Sequence, residues 1–175
     1  IRAAGSPVVI AGTPQAIGRH GDAVLAAKID LLVIQSQVSS ARHIASGYAP
    51  LELSAFVRRA GIPVAIGNTS NAAAAYALME QGAAAIFVGV GPGNACTTRE
   101  VLGIGVPQVT AVSDVAAARD AYLADSGRYV PVVADGGIRK GGEIAKALAV
   151  GADAVMIGSP LARATEAPGR GFNWG

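Results

Sequence analysis

The stretch VAIGNTSNAAAAYALMEQGAAAIFVG (64–89) has a counterpart in VADGGIRKGGEIAKALAVGADAVMIG (133–158). Gly67, Gly82 and Gly89 of the first stand 15 and 7 residues apart, and Gly136, Gly151 and Gly158 of the second repeat 15 and 7. Both copies read in one order: a short apolar strand, a tight turn, an Ala-rich helix, a Gly-Ala-x-Ala step and a second apolar strand. A βαβ unit generates such an echo, because its helix must cross back over a set length to lay the next strand parallel to the last.

Outward from this pair, further apolar runs lie at 8–11, 31–35 and 130–134, and with 64–67, 85–89 and 154–158 they make six. All are short, rich in Val and Ile and not alternating, which is the pattern of parallel strands covered on both faces. Between them the sequence is mostly helical. Ser70 is the expected cap of a helix over 71–81 with Gly82 as its stop, Asp114 opens 115–123, and 142–150 ends at Gly151. Six βα-type units with no GxGxxG after the first strand favour an α/β fold of the (β/α)8 TIM-barrel type. An open flavodoxin-like sheet is the alternative. A whole barrel takes about 250 residues, so 1–175 is expected to be the C-terminal part of one barrel domain, about six of its eight units, with no second domain. The two missing strands would precede Ile1.

Composition agrees with a packed α/β core. Of 175 residues 51% are apolar and 15% charged, which excludes disorder, and 23 glycines are too many for a plain helix bundle. The formal charge is +2 with scattered Arg and Lys, so no nucleic-acid partner is implied. No apolar run approaches the roughly 18–20 residues of a membrane span. A single cysteine, Cys96, cannot form an internal disulfide, so a reducing cytoplasm is the expected setting.

Three loops at the C-terminal ends of the strands, where barrels react, carry the chemistry. GVGPGNACTTR (89–99) can aim carbonyls at a cation or amides at an anion, and it presents Cys96 beside hydroxyls. A lone cysteine is either a small buried hydrophobe or a nucleophile, and the polar neighbours Thr97, Thr98 and Arg99 keep the second reading open. ADGGIRKGG (134–142) and GSPLA (158–162) fall where barrel enzymes hold phosphate on glycine amides. Asp135 would repel a phosphate, so it either accepts from sugar hydroxyls or caps its own loop. Phosphate, sugar and thiol together suggest a nucleotide substrate.

GVGPGNACTTRE (89–100) followed by ADGGIRKGGEIAKALAVGADAVMIGSPLA (134–162) resembles the IMP dehydrogenase/GMP reductase family. EAPGRGFNWG (166–175) is similar to its actinobacterial and cyanobacterial IMP-dehydrogenase-related subgroup, which lacks the CBS module. The resemblance covers essentially the whole chain. It implies oxidation of IMP to XMP with NAD: the Cys96 thiolate adds to C2 of the purine, hydride leaves for NAD, and water hydrolyses the thioimidate. It matches Thr98 to a threonine that handles proton and water, and the carbonyls of Gly91, Gly93 and Cys96 to a potassium site. Asp135 matches the ribose-binding carboxylate, and Gly137, Gly158 and Ser159 match phosphate ligands, joined by Asn94 where the family has serine. Asn68 matches an asparagine facing the nicotinamide pocket, with Gly89 and Gly91 on the same cofactor side. A homotetramer or larger homo-oligomer is implied as well.

Several positions depart from that pattern. Phe87 stands where Lys or Arg is usual, and Gln35 replaces an Asp near the nicotinamide site. Arg170 falls where GMP reductases place a catalytic Glu, which argues against that chemistry. The flap with the water-activating Arg is expected beyond Gly175. Two other functions stay open: GMP reduction to IMP with NADPH, and a silent nucleotide-binding homologue. His20, His43 and Arg58-Arg59 read as solvated surface and Arg139 as a possible edge of the nucleotide site. Tyr76, Met79 and Phe87 read as packing.

Overall fold

The computed structural model describes residues 1–169. After a 3₁₀ turn at Arg2–Ala4 the chain runs β1 (Val9–Gly12), α1 (Pro14–Ala26), β2 (Leu31–Gln35), α2 (Leu53–Ala60), β3 (Val64–Thr69), α3 (Ala72–Glu80) and β4 (Ala85–Val88). It continues as α4 (Thr98–Leu102), α5 (Gln108–Ser126), β5 (Val132–Asp135), α6 (Gly141–Ala149), β6 (Ala154–Met156) and α7 (Ser159–Ala162). All six strands are parallel and lie in the order β1-β2-β3-β4-β5-β6. A doubly wound sheet would reverse direction once, so sequential order rejects the flavodoxin-like alternative and leaves an arc of a β/α barrel.

Alternation along the strands separates two apolar layers. Leu32, Ile34, Val64, Ile66, Ile86, Val88 and Val132 point to the helices, where they pack with Phe56, Leu78, Met79, Val112 and Val115. Val33, Ala65 and Phe87 form a smaller cluster on the inner face, flanked by Leu31, Ala85 and Val133. On that face Gln35, Gly67, Phe87 and Val133 stand in one register row. A Cβ at Gly67 would lie 2.4 Å from the Phe87 Cβ and 2.7 Å from its carbonyl oxygen, so only glycine fits beside Phe87. Met79 and Phe87 are buried, and Tyr76 packs edge-on against Tyr122 and donates to Asp125, so all three are packing residues.

Three helix starts differ from expectation, that of α6 by one residue, at Gly141 rather than 142. Asn71, not Ser70, caps α3: its side chain accepts from the Ala74 N–H at 2.9 Å. α5 begins at Gln108, straight after Pro107, and Asp114 lies inside it. Burial of Ala111 and Val112 against the sheet outweighs the weak helix propensity of the Val and Thr residues in that first stretch. No described helix is long and apolar enough to cross a membrane.

The capping assignment is testable by urea unfolding of the full-length protein. Asn71→Ala lowers stability by about 1 kcal/mol, whereas Ser70→Ala stays within about 0.5 kcal/mol.

Candidate functional site

Each strand delivers a residue at or next to its C-terminal end to one rim. Two clefts open there. The first, about 460 Å³, is lined by residues at or just after the ends of β1 to β5, among them Thr13, Gln35, Ser36, Asn68, Gly89, Gly91 and Asp135. The second, about 470 Å³, is lined by Asn94, Asp135, Gly137, Arg139, Gly158 and Ser159, with others after β4, β5 and β6. Gly93, Cys96, Asp135 and Gly136 belong to both, so the thiol stands on the wall between them.

The loop after β4 turns tightly, the Cys96 N–H donating to the Gly93 carbonyl at 3.1 Å. Arg99 pins its far end by donating to the carbonyls of Val90 (3.2 Å) and Val106 (2.6 Å). Cys96 is exposed, and its Sγ lies 3.2 Å from Oγ1 of Thr98, which is only 3% exposed. That hydroxyl, then the Thr98 backbone N–H, hold the thiol pKa below its ordinary value; desolvation opposes them and the Arg99 charge adds a smaller pull downward. A thiol whose pKa is lowered and that faces two clefts can, once ionised, attack an electrophilic carbon in either.

Asp135 ends β5, and its Oδ2 accepts from Nε2 of Gln35 at 2.7 Å and Nδ2 of Asn68 at 2.8 Å. Gln35 Nε2 also donates to Asn68 Oδ1 at 2.7 Å, and Asn68 Nδ2 to the Gly89 carbonyl at 2.9 Å. Asn68 reaches this network because β3 bulges: Gly67 pairs Phe87 and Thr69 pairs Val88, leaving Asn68 between them. Strict alternation would have turned it toward the helices.

At the second cleft, Gly136 and Gly137 both take positive φ, and a Cβ at Gly137 would meet the Pro92 carbonyl at 3.0 Å. Among the described residues no acceptor takes the Gly137 or Gly158 amide N–H. Those donors and the Arg139 cation at the rim suit an anion. Glu143 sits behind them, its carboxylate accepting from the backbone of Arg139 (2.5 Å) and Lys140 (3.0 Å), which holds its pKa low.

The structure thus gathers every expected site residue at the two clefts: Asn68, Gly89, Gly91 and Thr98 in the first, Asn94, Gly137, Gly158 and Ser159 in the second, and Gly93, Cys96 and Asp135 in both. Arg170 lies outside the described residues. His20 is exposed, whereas His43 is half-buried in a separate loop cavity with Arg42 and Glu52, away from both clefts. Sequence reasoning missed Gln108, whose Nε2 donates to the carbonyls of Val88 (2.8 Å) and Asp135 (3.4 Å), tying together the ends of β4 and β5. Its position at a helix start after Pro107 was the available signal.

A model of the IMP dehydrogenase / GMP reductase domain matches residues 5–174. The chain belongs to the IMP dehydrogenase/GMP reductase family. It is 47% identical to an uncharacterized oxidoreductase of Mycobacterium leprae over 176 residues, 99% of this chain and 47% of that protein. It is 44% identical to the inosine-5'-monophosphate dehydrogenase of Escherichia coli K12 over 148 residues, 85% of this chain and 28% of that enzyme. The crystal structure of an IMP dehydrogenase/GMP reductase-like protein from Corynebacterium glutamicum superposes with a TM-score of 0.88 at 42% identity, covering 97% of this chain and 44% of the other. The chain spans about half the length, or less, of these relatives. In this member of the family Gln35 and Phe87 belong to the inner face: one bonds Asp135, and the backbone and Cβ of the other close against Gly67.

Thr98→Val removes the hydroxyl beside Cys96 at nearly constant volume. The thiol then ionises at higher pH, and the pH profile of iodoacetamide alkylation moves upward.

Proposed function

We propose that this chain carries the catalytic thiol and nucleotide site of a purine-nucleotide oxidoreductase that converts IMP to XMP with NAD. One observation supports the reading above the rest: Cys96 stands between a cleft with anion donors and a cleft whose walls are mostly neutral. A substrate held by its phosphate in the second cleft and a hydride acceptor held in the first would meet at that thiol.

Gly137 and Gly158 amides and the Ser159 hydroxyl bind the phosphate, with Asn94 on the same wall. Asp135 takes the ribose hydroxyls on Oδ1, since Oδ2 is occupied by Gln35 and Asn68. Thr98 keeps Cys96 toward thiolate for attack at C2, and it sits close enough to relay the proton when the thiol returns. The covalent step divides one hard substitution at an aromatic carbon into two easier ones.

The first cleft fits a nicotinamide: five of its lining residues are glycines, leaving space beside Cys96, and Asn68 and Gly89 are already joined by a hydrogen bond. Bound there by Asn68, Gly89 and Gly91, NAD supplies the hydride acceptor. For potassium the donors are backbone carbonyls. Among the described residues those of Gly91 and Cys96 accept no hydrogen bond, and that of Gly93 accepts one. They fit such a cation as part of its oxygen shell, stiffening the thiol loop. The same reading takes the arc as six units of an eight-unit barrel in a single domain. Val9 and Met156 on the inner face of its two edge strands are 47% and 41% exposed, as strands awaiting neighbours would be.

In the full-length protein, IMP protects Cys96 from iodoacetamide, and IMP with NAD produces reduced cofactor by absorbance. Turnover of GMP with NADPH instead would reverse the direction. Unchanged labelling with IMP would remove the nucleophile role. Asp135→Ala weakens IMP binding by about 1.5–3 kcal/mol through the lost charge-assisted bonds, measured by calorimetry; unchanged affinity would return Asp135 to a loop cap.

A further inference from the structure

Gln35 does something its place on the first cleft does not require. Its Nε2 has two hydrogens, and both are used inward, on Asn68 Oδ1 and Asp135 Oδ2 at 2.7 Å each. Asn68 Nδ2 likewise uses both of its hydrogens, on the Gly89 carbonyl and Asp135 Oδ2. The amide orientations are therefore set by chemistry. Each nitrogen faces only acceptors, and a flip of either amide would set an oxygen against a carboxylate. A glutamine is one methylene longer than an aspartate and carries donors, so it can bridge from β2 to β5. The Asp that the family resemblance places here could do neither.

We propose that Gln35 is a positioning residue: it fixes the Asp135 carboxylate and the Asn68 amide as one hydrogen-bonded unit, so that the two clefts beside Cys96 keep a common geometry. Asp135 is held with Oδ2 filled and Oδ1 left for a ligand hydroxyl, while Asn68 is held against Gly89. Loss of the bridge frees both at once. The inference rests on the nucleotide reading for its ligand, but the bridge itself does not.

The discriminating variant is Gln35→Glu, nearly isosteric and without the donor hydrogens. Among the residues lining the first cleft Asp135 is the only charged one and Cys96 the only other that titrates; Asn68, Ser36, Thr13 and the glycines carry no charge. The new carboxyl would lie within hydrogen-bond reach of Asp135, where two carboxylates cannot both ionise without cost, so the pair retains a proton to higher pH than either would alone. While retained, that proton restores the bond between position 35 and Asp135, the half of the bridge that orients the carboxylate. Its folded pKa being raised, the stabilisation is present at low pH and lost as pH rises.

Two measurements on the full-length protein test this. Without ligand, the melting temperature of Gln35→Glu should fall further below wild type as pH rises from about 5 to about 8; contributions of Cys96, common to both proteins, cancel. IMP affinity relative to wild type should drop in parallel, from near parity to on the order of tenfold weaker. Gln35→Met, with no donor and no charge, should weaken IMP by several-fold at every pH and raise the KM for NAD as well. A melting difference that does not vary with pH overturns the proposal, as does wild-type IMP affinity in both variants. If wild type binds no IMP while the unliganded melting difference still follows pH, the bridge stands and the substrate reading falls.

Discussion

The site depends on one carboxylate oxygen that accepts two amide hydrogens from two other strands. Asp135 ends β5, Gln35 ends β2, and three inter-strand steps separate them, about 14 Å in a flat sheet. Side chains standing perpendicular to a flat sheet would never meet across that span. A 2.7 Å bond between them requires the sheet to curl until its inner face is concave. The interior must also be clear along the way. Gly67 has no side chain in the row between Gln35 and Phe87, and the β3 bulge swings Asn68 inward to complete the network.

That same rim sets the electrostatics of the thiol. Cys96 gains no formal cation within its loop strong enough to dominate; the first cause of its lowered pKa is the buried Thr98 hydroxyl. A neutral hydrogen bond favours the thiolate with no formal charge placed against the sulfur. Arg99, three residues on from Cys96, spends its guanidinium on the carbonyls of Val90 and Val106. Its main work is to hold the loop in place.

Much of this was legible along the chain. The matched spacing of Gly67, Gly82 and Gly89 with Gly136, Gly151 and Gly158 marks parallel βαβ crossovers, and the strands do pair in parallel and in sequence. Local signals were less reliable where two candidates adjoin or tertiary burial overrides propensity. Asn71 replaces Ser70 as a cap by one residue, and α5 starts before Asp114 because Ala111 and Val112 are buried by the sheet. Gln108 was missed for a related reason: its partners, Val88 and Asp135, are 20 and 27 residues distant.

By itself the sequence determined the parallel α/β architecture, the loops that line the two clefts and the family to which the chain belongs, since these follow from periodicity and from contiguous motifs. Only the tertiary structure decided which of those motifs face one another. The thiol separates two clefts because the loop after β4 folds against the turn after β5, with Pro92 and Gly93 lying on Gly136 and Gly137. Gln35, a departure from the family pattern when read in line, bonds Asp135 across 100 residues of chain. Hydrogen bonds of that range depend on curvature and bulge geometry, and neither is written in the local succession of residues.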